Sequence, residues 1–334
     1  MPQILRTTLI QDEALAAGAF MQKDLPVNPL SIVLLTIKAL NNTPANADHH
    51  VWAELLNHVP KVTVSYRGAS VIAGRLKDLA MMYAQLAQWT PRQLQANDVD
   101  NDVRSITVPL LFGRRPYDHK QCFPATRRGD LVLRLDAAAA LPAALDNFLI
   151  QAETIELLDA QPESFLKVTE TQRTMQLGEQ NEIALPLGNR LIALLLQAAT
   201  FPTAASYNSS FGQIALELDN VEVGVSKANW ETLAGELHRR MPGGWPLSFH
   251  THKENVAAAY AQFAVTRAQS DDDPDAQAYA LIDLDPLEDA SYAINTANAA
   301  DFNLIVNSDV ADGAPSRVLI AEHVMIGAAA APGA

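Results

Sequence analysis

The chain repeats itself, and that repetition restricts the folds open to it more than any other feature. Leu25-Pro26 precedes the apolar run Leu30–Ile37, and Leu185-Pro186 precedes the apolar run Leu191–Leu196. Both runs end in small polar loops with proline, Asn41-Asn-Thr-Pro44 and Thr200-Phe-Pro-Thr203. Val62–Tyr66 then alternates apolar and polar, turns at Arg67-Gly68 and resumes with Ser70–Ile72; Ile214–Leu218 does the same around Asp219-Asn220 and resumes with Val221–Val223. Alternation on both sides of a turn-forming pair is the mark of a β-hairpin. Each hairpin leads into a segment with helical spacing: Leu76, Leu79, Ala80, Tyr83 and Leu86 in the first, Trp230, Leu233, Ala234 and Leu237 in the second. Later, Asp130–Asp136 matches Asp301–Asn307, and Phe148–Ile155 matches Arg317–Val324. One such pair is weak because short apolar strands resemble each other by chance. Several pairs in one order, at offsets of roughly 150 to 170 residues, point to a duplicated unit.

A length of 334 residues suits two such units. Each half holds about eight short strands separated by Pro, Gly, Asn and Asp loops, with one helix. That reads as an all-β chain of two tandem eight-stranded jelly rolls, each with one accessory helix, rather than a βαβ fold. The boundary falls near Ala160–Ser164, giving an N-terminal unit of 1–161 and a C-terminal unit of 162–334. Val256–Ala268 fits helix and strand equally well.

Charged residues make up only 19 % of the chain, a balance suited to a molecule that hides surface against its own copies. The net charge of −14 repels phosphate backbones, so direct nucleic-acid partners are not expected. Cys122 is the single cysteine, which excludes an intrachain disulfide. The N-terminus lacks the basic-then-apolar pattern of a signal peptide, and the longest apolar runs are too short to span a bilayer. A soluble protein that folds in a cytoplasm is the expectation.

The chemistry-bearing residues do not assemble into a recognisable catalytic or cofactor motif, and the expected catalytic, cofactor and metal sets are empty. His250-Thr-His252-Lys-Glu254 invites comparison with a cupin metal site, but a cupin's glutamate comes four or five residues after the second histidine and Glu254 follows His252 by only two. A surface loop after Pro242–Pro246 is the preferred reading. Asp271, Asp272, Asp273 and Asp275 offer oxygens for calcium, yet Ala276 and Ile282 occupy the glycine and glutamate positions of an EF-hand, so a solvated acidic turn is preferred. Cys122 beside His119 reads as a partly buried loop thiol. Arg114-Arg115 and Arg127-Arg128 are expected to pair with acids on a neighbouring subunit. Trp230 and Tyr83 lie on apolar helix faces and read as core anchors, whereas Trp52 and Trp245 sit beside loops and suit subunit contacts or glycan stacking.

An apolar strand introduced by Leu-Pro, a polar loop, a strand–turn–strand unit carrying Arg-Gly or Asp-Asn, and then a helix resemble the double jelly-roll major capsid proteins. Asp219-Asn220 followed by Trp230 and Leu233, and Val108–Arg114 followed by Asp118, carry the likeness furthest. It covers roughly Leu25–Val324 and is nearest to the corticovirus type, tailless icosahedral bacteriophages with an internal membrane. The resemblance implies a virion protein without enzymatic activity. It further implies a homotrimer whose six barrels give a hexagonal outline, contacts with neighbouring capsomers, penton and minor capsid proteins, and lower ends that face a lipid bilayer. Two other classes fit a jelly roll equally well by fold: an enzyme acting on glycans and a lectin-like binding module.

Overall fold

A computed structural model describes residues 3–42, 52–88, 93–94, 101, 103–140, 145–178, 180–202, 206–240 and 278–327. The first half contains β1 (Gln3–Ala14), β2 (Phe20–Asp24), β3 (Leu30–Asn41), α1 (Trp52–Asn57), β4 (Lys61–Tyr66), β5 (Ala69–Gly74), α2 (Leu76–Ala87), β6 (Gln93–Leu94), β7 (Val103–Leu111), β8 (Leu131–Asp136) and β9 (Leu145–Leu158). The second half contains β10 (Ser164–Arg173), β11 (Gln180–Ala184), β12 (Arg190–Gln197), β13 (Gln213–Leu218), β14 (Val221–Glu222), β15 (Ala228–Asn229), α3 (Trp230–Arg240), β16 (Tyr279–Asp283), β17 (Ile294–Asn295), β18 (Phe302–Asn307) and β19 (Ser316–Met325).

The strand order is the same twice. In the first half, β1-β9-β3-β7 faces β2-β8-β4-β5; in the second, β10-β19-β12-β16 faces β11-β18-β13-β14. Each set is an eight-stranded jelly roll, and the short β6, β15 and β17 are additions to it. Every repeated strand and helix found in the sequence occupies the same place in both rolls. The two turns also agree: Arg67 and Gly68 have φ of 48° and 83°, Asp219 and Asn220 of 51° and 64°. Positive φ at both central residues matches the right-handed twist of the strands it joins, which is why Gly and Asn occur there. One difference from the expected pattern is α1, a second helix in the first half that packs its Leu55 and Leu56 into the core.

The two rolls are joined through one sheet. β5 pairs with β10 in parallel at Ile72↔Val168 and Ala73↔Thr169, so one nine-stranded sheet runs through both halves. Its second-half portion is covered on both faces. Leu191, Leu194, Leu196, Ala280, Ile282, Val318 and Ile320 pack against the β11-β18-β13-β14 sheet, while Ala193, Leu195, Tyr279, Leu281, Leu319 and Ala321 join the core of the first half. Burial on both faces explains why Leu191–Leu196 is a continuous apolar run. β3, covered on one face only beyond Val33, alternates instead along Leu35-Thr36-Ile37-Lys38-Ala39. Among the described residues no helix is long and apolar enough to cross a membrane.

Candidate functional site at the seam between the halves

The seam is built from side chains that the sequence separates widely. At one end, α2 carries Asp78 to Tyr279 on β16, whose hydroxyl donates to Asp78 Oδ1. Asp78 is buried, and burial pushes its carboxyl up; the Tyr279 hydrogen bond and the charges of Lys77, Arg75 and Arg317 oppose that rise. Beside it, the Arg75 N–H donates to Glu170 Oε2 at 3.0 Å and Arg317 Nε lies 3.3 Å from Glu170 Oε1. Glu170 is also raised, by burial first and by the charge of Asp78 as well. In the middle, Phe123 meets Phe165 of β10 edge-to-face with ring centroids 4.9 Å apart. At the other end, Arg114 is buried with its guanidinium 3.6 Å from Asp285, 3.9 Å from Asp283 and 3.9 Å from Glu288. Arg115 lies 3.3 Å from the same Glu288.

Those contacts correct one expectation. Arg114 and Arg115 pair with acids of their own chain, not of a neighbouring subunit. The reason is steric. A Cβ on Gly113 would stand 1.8 Å from Gln121 O, so only glycine lets this loop fold back tightly enough to carry Arg114 onto the second half. Arg127 and Arg128, on the same loop, are exposed.

A second arrangement, missed at the sequence level, appears once in each roll. Asn28 Nδ2 donates to buried Glu156 Oε2 at 2.7 Å, and Asn189 Nδ2 donates to buried Glu322 Oε1 at 2.7 Å. Glu156 pairs with Leu30 and Glu322 with Leu191, and each ladder shifts register immediately afterwards. A carboxylate inside a sandwich must be hydrogen-bonded, and the Leu-Pro-x-Asn corner supplies the donor. Leu25-Pro-Val-Asn28 and Leu185-Pro-Leu-Gly-Asn189 differ by one inserted glycine, which hid the signal. The exposed Val27 and Leu187 occupy matching places on these corners.

Groups that resemble catalytic parts have structural roles here. His323 Nε2 lies 2.7 Å from Ser164 Oγ, but Ser164 is buried and His323 Nδ1 has no hydrogen-bond partner, so the pair ties β19 to β10. A serine nucleophile needs a base that is itself oriented by a third group. Cys122 is buried, with its thiol pushed up to about 12 by desolvation, far from a reactive thiolate. An open cleft of about 690 Å³ lies along the seam, lined by Lys61, Thr63, Arg75, Glu170 and Arg317. Glycoside hydrolysis requires two carboxyl groups facing one substrate; this cleft offers Glu170, already bound to Arg317, while Asp78 is committed to Tyr279. Trp230 and Tyr83 are core residues, Trp230 stacking on Phe211 at 5.9 Å. Among the described residues no group of three His, Cys, Asp or Glu is placed to hold a metal ion. His250, His252, Glu254, Asp271, Asp272, Asp273, Asp275, Trp245, the Val256–Ala268 segment and the side chain of Trp52 lie outside the described residues.

No protein-family model matches the sequence. No curated protein matches it either. Solved structures do. The crystal structure of the STIV MCP superposes with a TM-score of 0.68 at 13 % identity, covering 99 % of this chain and 100 % of that one. The major capsid protein P2 from bacteriophage PM2 gives 0.60 at 12 % identity, with 98 % and 99 % covered. The PBCV-1 virus capsid gives 0.57 at 10 % identity, with 98 % and 95 % covered. Two rolls of identical strand order, joined through one sheet and matched end to end by these structures, give this chain the double jelly-roll fold.

Proposed function

We propose that the chain is a viral major capsid protein whose activity is self-assembly, not catalysis. The observation that carries this reading is the side-by-side duplication of one roll within a single polypeptide. Two barrels per chain let a homotrimer present six, which pack on a flat facet as a hexamer would, with units 1–161 and 162–334 in alternation. The capsid proteins of the same fold, matched over almost their whole length, support it. Its partners are then further copies of itself in neighbouring capsomers, together with penton and minor capsid proteins, and its place is the virion after folding in a host cytoplasm. A net charge of −14 agrees with a shell that does not touch its genome.

The register of every strand pair puts the N-terminus, the two Leu-Pro corners and the end of β19 at one end of the molecule. That end exposes Ile4, Leu5, Val27, Leu187, Leu287 and Met325. Apolar side chains gathered at one end agree with its facing an internal lipid bilayer. Solution mass followed by negative-stain imaging tests the proposal. Trimers with a hexagonal outline are expected; a monomer that cleaves a glycosidic bond, or binds glycans without assembling, overturns it.

A further inference from the structure

The two Leu-Pro corners share an asparagine bound to a buried glutamate, and they differ in what stands opposite that glutamate. On β1 the exposed Leu5 lies opposite Glu156, whereas on β10 Lys167 lies opposite Glu322. In the first roll the second carboxyl oxygen takes the Thr7 hydroxyl at 2.9 Å; in the second it takes Lys167 Nζ at 2.7 Å. Three adjacent strands set this up. β19 runs between β10 and β12, so Glu322 has the lysine on one side and Asn189, just before β12, on the other. Glu322 is 1 % exposed, and Lys167 and Asn189 are half-buried. The asparagine is fixed from behind, because its backbone carbonyl accepts the Thr296 hydroxyl at 2.7 Å and the Thr296 N–H at 3.1 Å. An amine and a primary amide are thus held on the two oxygens of one buried carboxyl group.

We infer that Lys167 and Asn189 become joined by an isopeptide bond, with Glu322 as the catalytic residue. This is one reaction within the chain, not enzyme turnover, and it does not depend on the assembly reading. Attack needs Nζ without its third proton, and Glu322 Oε2, 2.7 Å away, is placed to take it. The Nζ lone pair then bonds to Asn189 Cγ, the carbon that carries Nδ2, and the carbonyl pair moves onto Oδ1. Glu322 hands its proton to Nδ2, which lies 2.7 Å from Oε1, and takes one from Nζ. The pair on Oδ1 re-forms the carbonyl, the Cγ–Nδ2 bond breaks, and ammonia departs with the bonding pair. It leaves as ammonium with the proton on Glu322, so the carboxylate is restored. One C–N bond forms, one breaks, and nothing is oxidised or reduced. An amide is a poor electrophile in water, and holding both partners on one carboxyl group is what brings the reaction within reach. Freshly folded protein still has Asn189 only as a donor to Glu322. Once made, the bond ties the start of β12 to β10, the strand that pairs with β5 at the seam.

The intact mass of the full-length protein, folded and then stored, tests the bond. It is expected to fall by one ammonia, and a protease digest to contain a branched peptide that joins the Lys167 and Asn189 fragments. Lys167→Arg, which keeps a cation beside Glu322, and Asn189→Ala are expected to retain the full mass. Glu322→Gln is expected to slow the loss about a hundredfold. Protein held in urea, where the three strands part, should lose nothing, and no branched peptide should form at Asn28. Full mass in the stored, folded protein overturns the proposal. So does ammonia that is still lost from Lys167→Arg with no branched peptide in the unmodified protein, which is ring closure at some asparagine alone. Loss from Glu322→Gln as fast as from the unmodified protein overturns the role of Glu322. Should a variant fail to fold, the branched peptide of the unmodified protein decides by itself. None of these masses depends on whether copies associate, so the assembly reading stands or falls separately.

Discussion

Asp78 shows how far a single residue's meaning depends on the partner that the fold brings to it. On the sequence it is an acidic residue in the first turn of a helix, where a solvated carboxylate would be ordinary. In the folded chain it is 1 % exposed, takes the Tyr279 hydroxyl and leaves Oδ2 without a partner. Its carboxyl is raised because burial penalises the charged form. The folded state thus holds this proton more tightly than the unfolded chain does. The stability it contributes is fully present below the ordinary carboxylate value of about 4 and is lost as pH rises through the raised value. Asp78→Asn keeps the acceptor for Tyr279 and removes the titration. The melting temperature of that variant relative to the unmodified protein is expected to climb as pH is taken from about 4 to about 8. A gap that stays constant over the range would show that Asp78 does not ionise in this way. Glu170, raised by burial first, remains in both proteins; the part of its rise that comes from the Asp78 charge is lost in the variant and adds to the same trend.

At the scale of elements, the duplicated corners are the clearest example of a device that pattern reading saw only in part. Leu25-Pro26 and Leu185-Pro186 were legible as a repeat, because proline ends one strand and the apolar run begins the next. The hydrogen bond that gives each corner its purpose was not, because Glu156 and Glu322 lie more than a hundred residues away from Asn28 and Asn189. Removing the donor leaves a buried carboxylate short of a partner. Asn28→Ala and Asn189→Ala are each expected to cost about 2 kcal/mol in urea unfolding. The two corners share no partner, so the double variant should lose close to the sum. Glu156 keeps the Thr7 hydroxyl, at 2.9 Å, and Glu322 keeps Lys167 Nζ, at 2.7 Å; the charged donor is the stronger, so in freshly folded protein Asn189→Ala should be the milder of the two. A change below a few tenths of a kcal/mol at both positions would mean that water replaces the asparagine without penalty.

For the molecule as a whole, what matters is that two copies of one roll have been given different surroundings. The second-half β10-β19-β12-β16 layer is interior, whereas its counterpart in the first half keeps one half-exposed polar face. Leu195→Ala opens a cavity between two packed layers and is expected to cost about 3 kcal/mol. Thr36→Val, on the equivalent layer, removes the 2.8 Å hydrogen bond to Thr107 and should cost under about 1 kcal/mol. Chemical denaturation of both variants tests the difference, and equal losses would contradict it. The sequence by itself determined the roll, its repetition, both hairpin turns and the helix after each hairpin. Those are local: alternation with period two, φ > 0 at Arg67-Gly68 and Asp219-Asn220, and apolar spacing along α2 and α3 are written in neighbouring residues. It even carried the burial of β12 on both faces, as a run without alternation. Only the tertiary structure decided that Arg114 serves its own chain, that Asp78 finds Tyr279, and that Ser164 and His323 meet as a tie between strands. Each of these joins residues more than a hundred positions apart, where spacing carries no information and the packing of one roll on the other sets the partner.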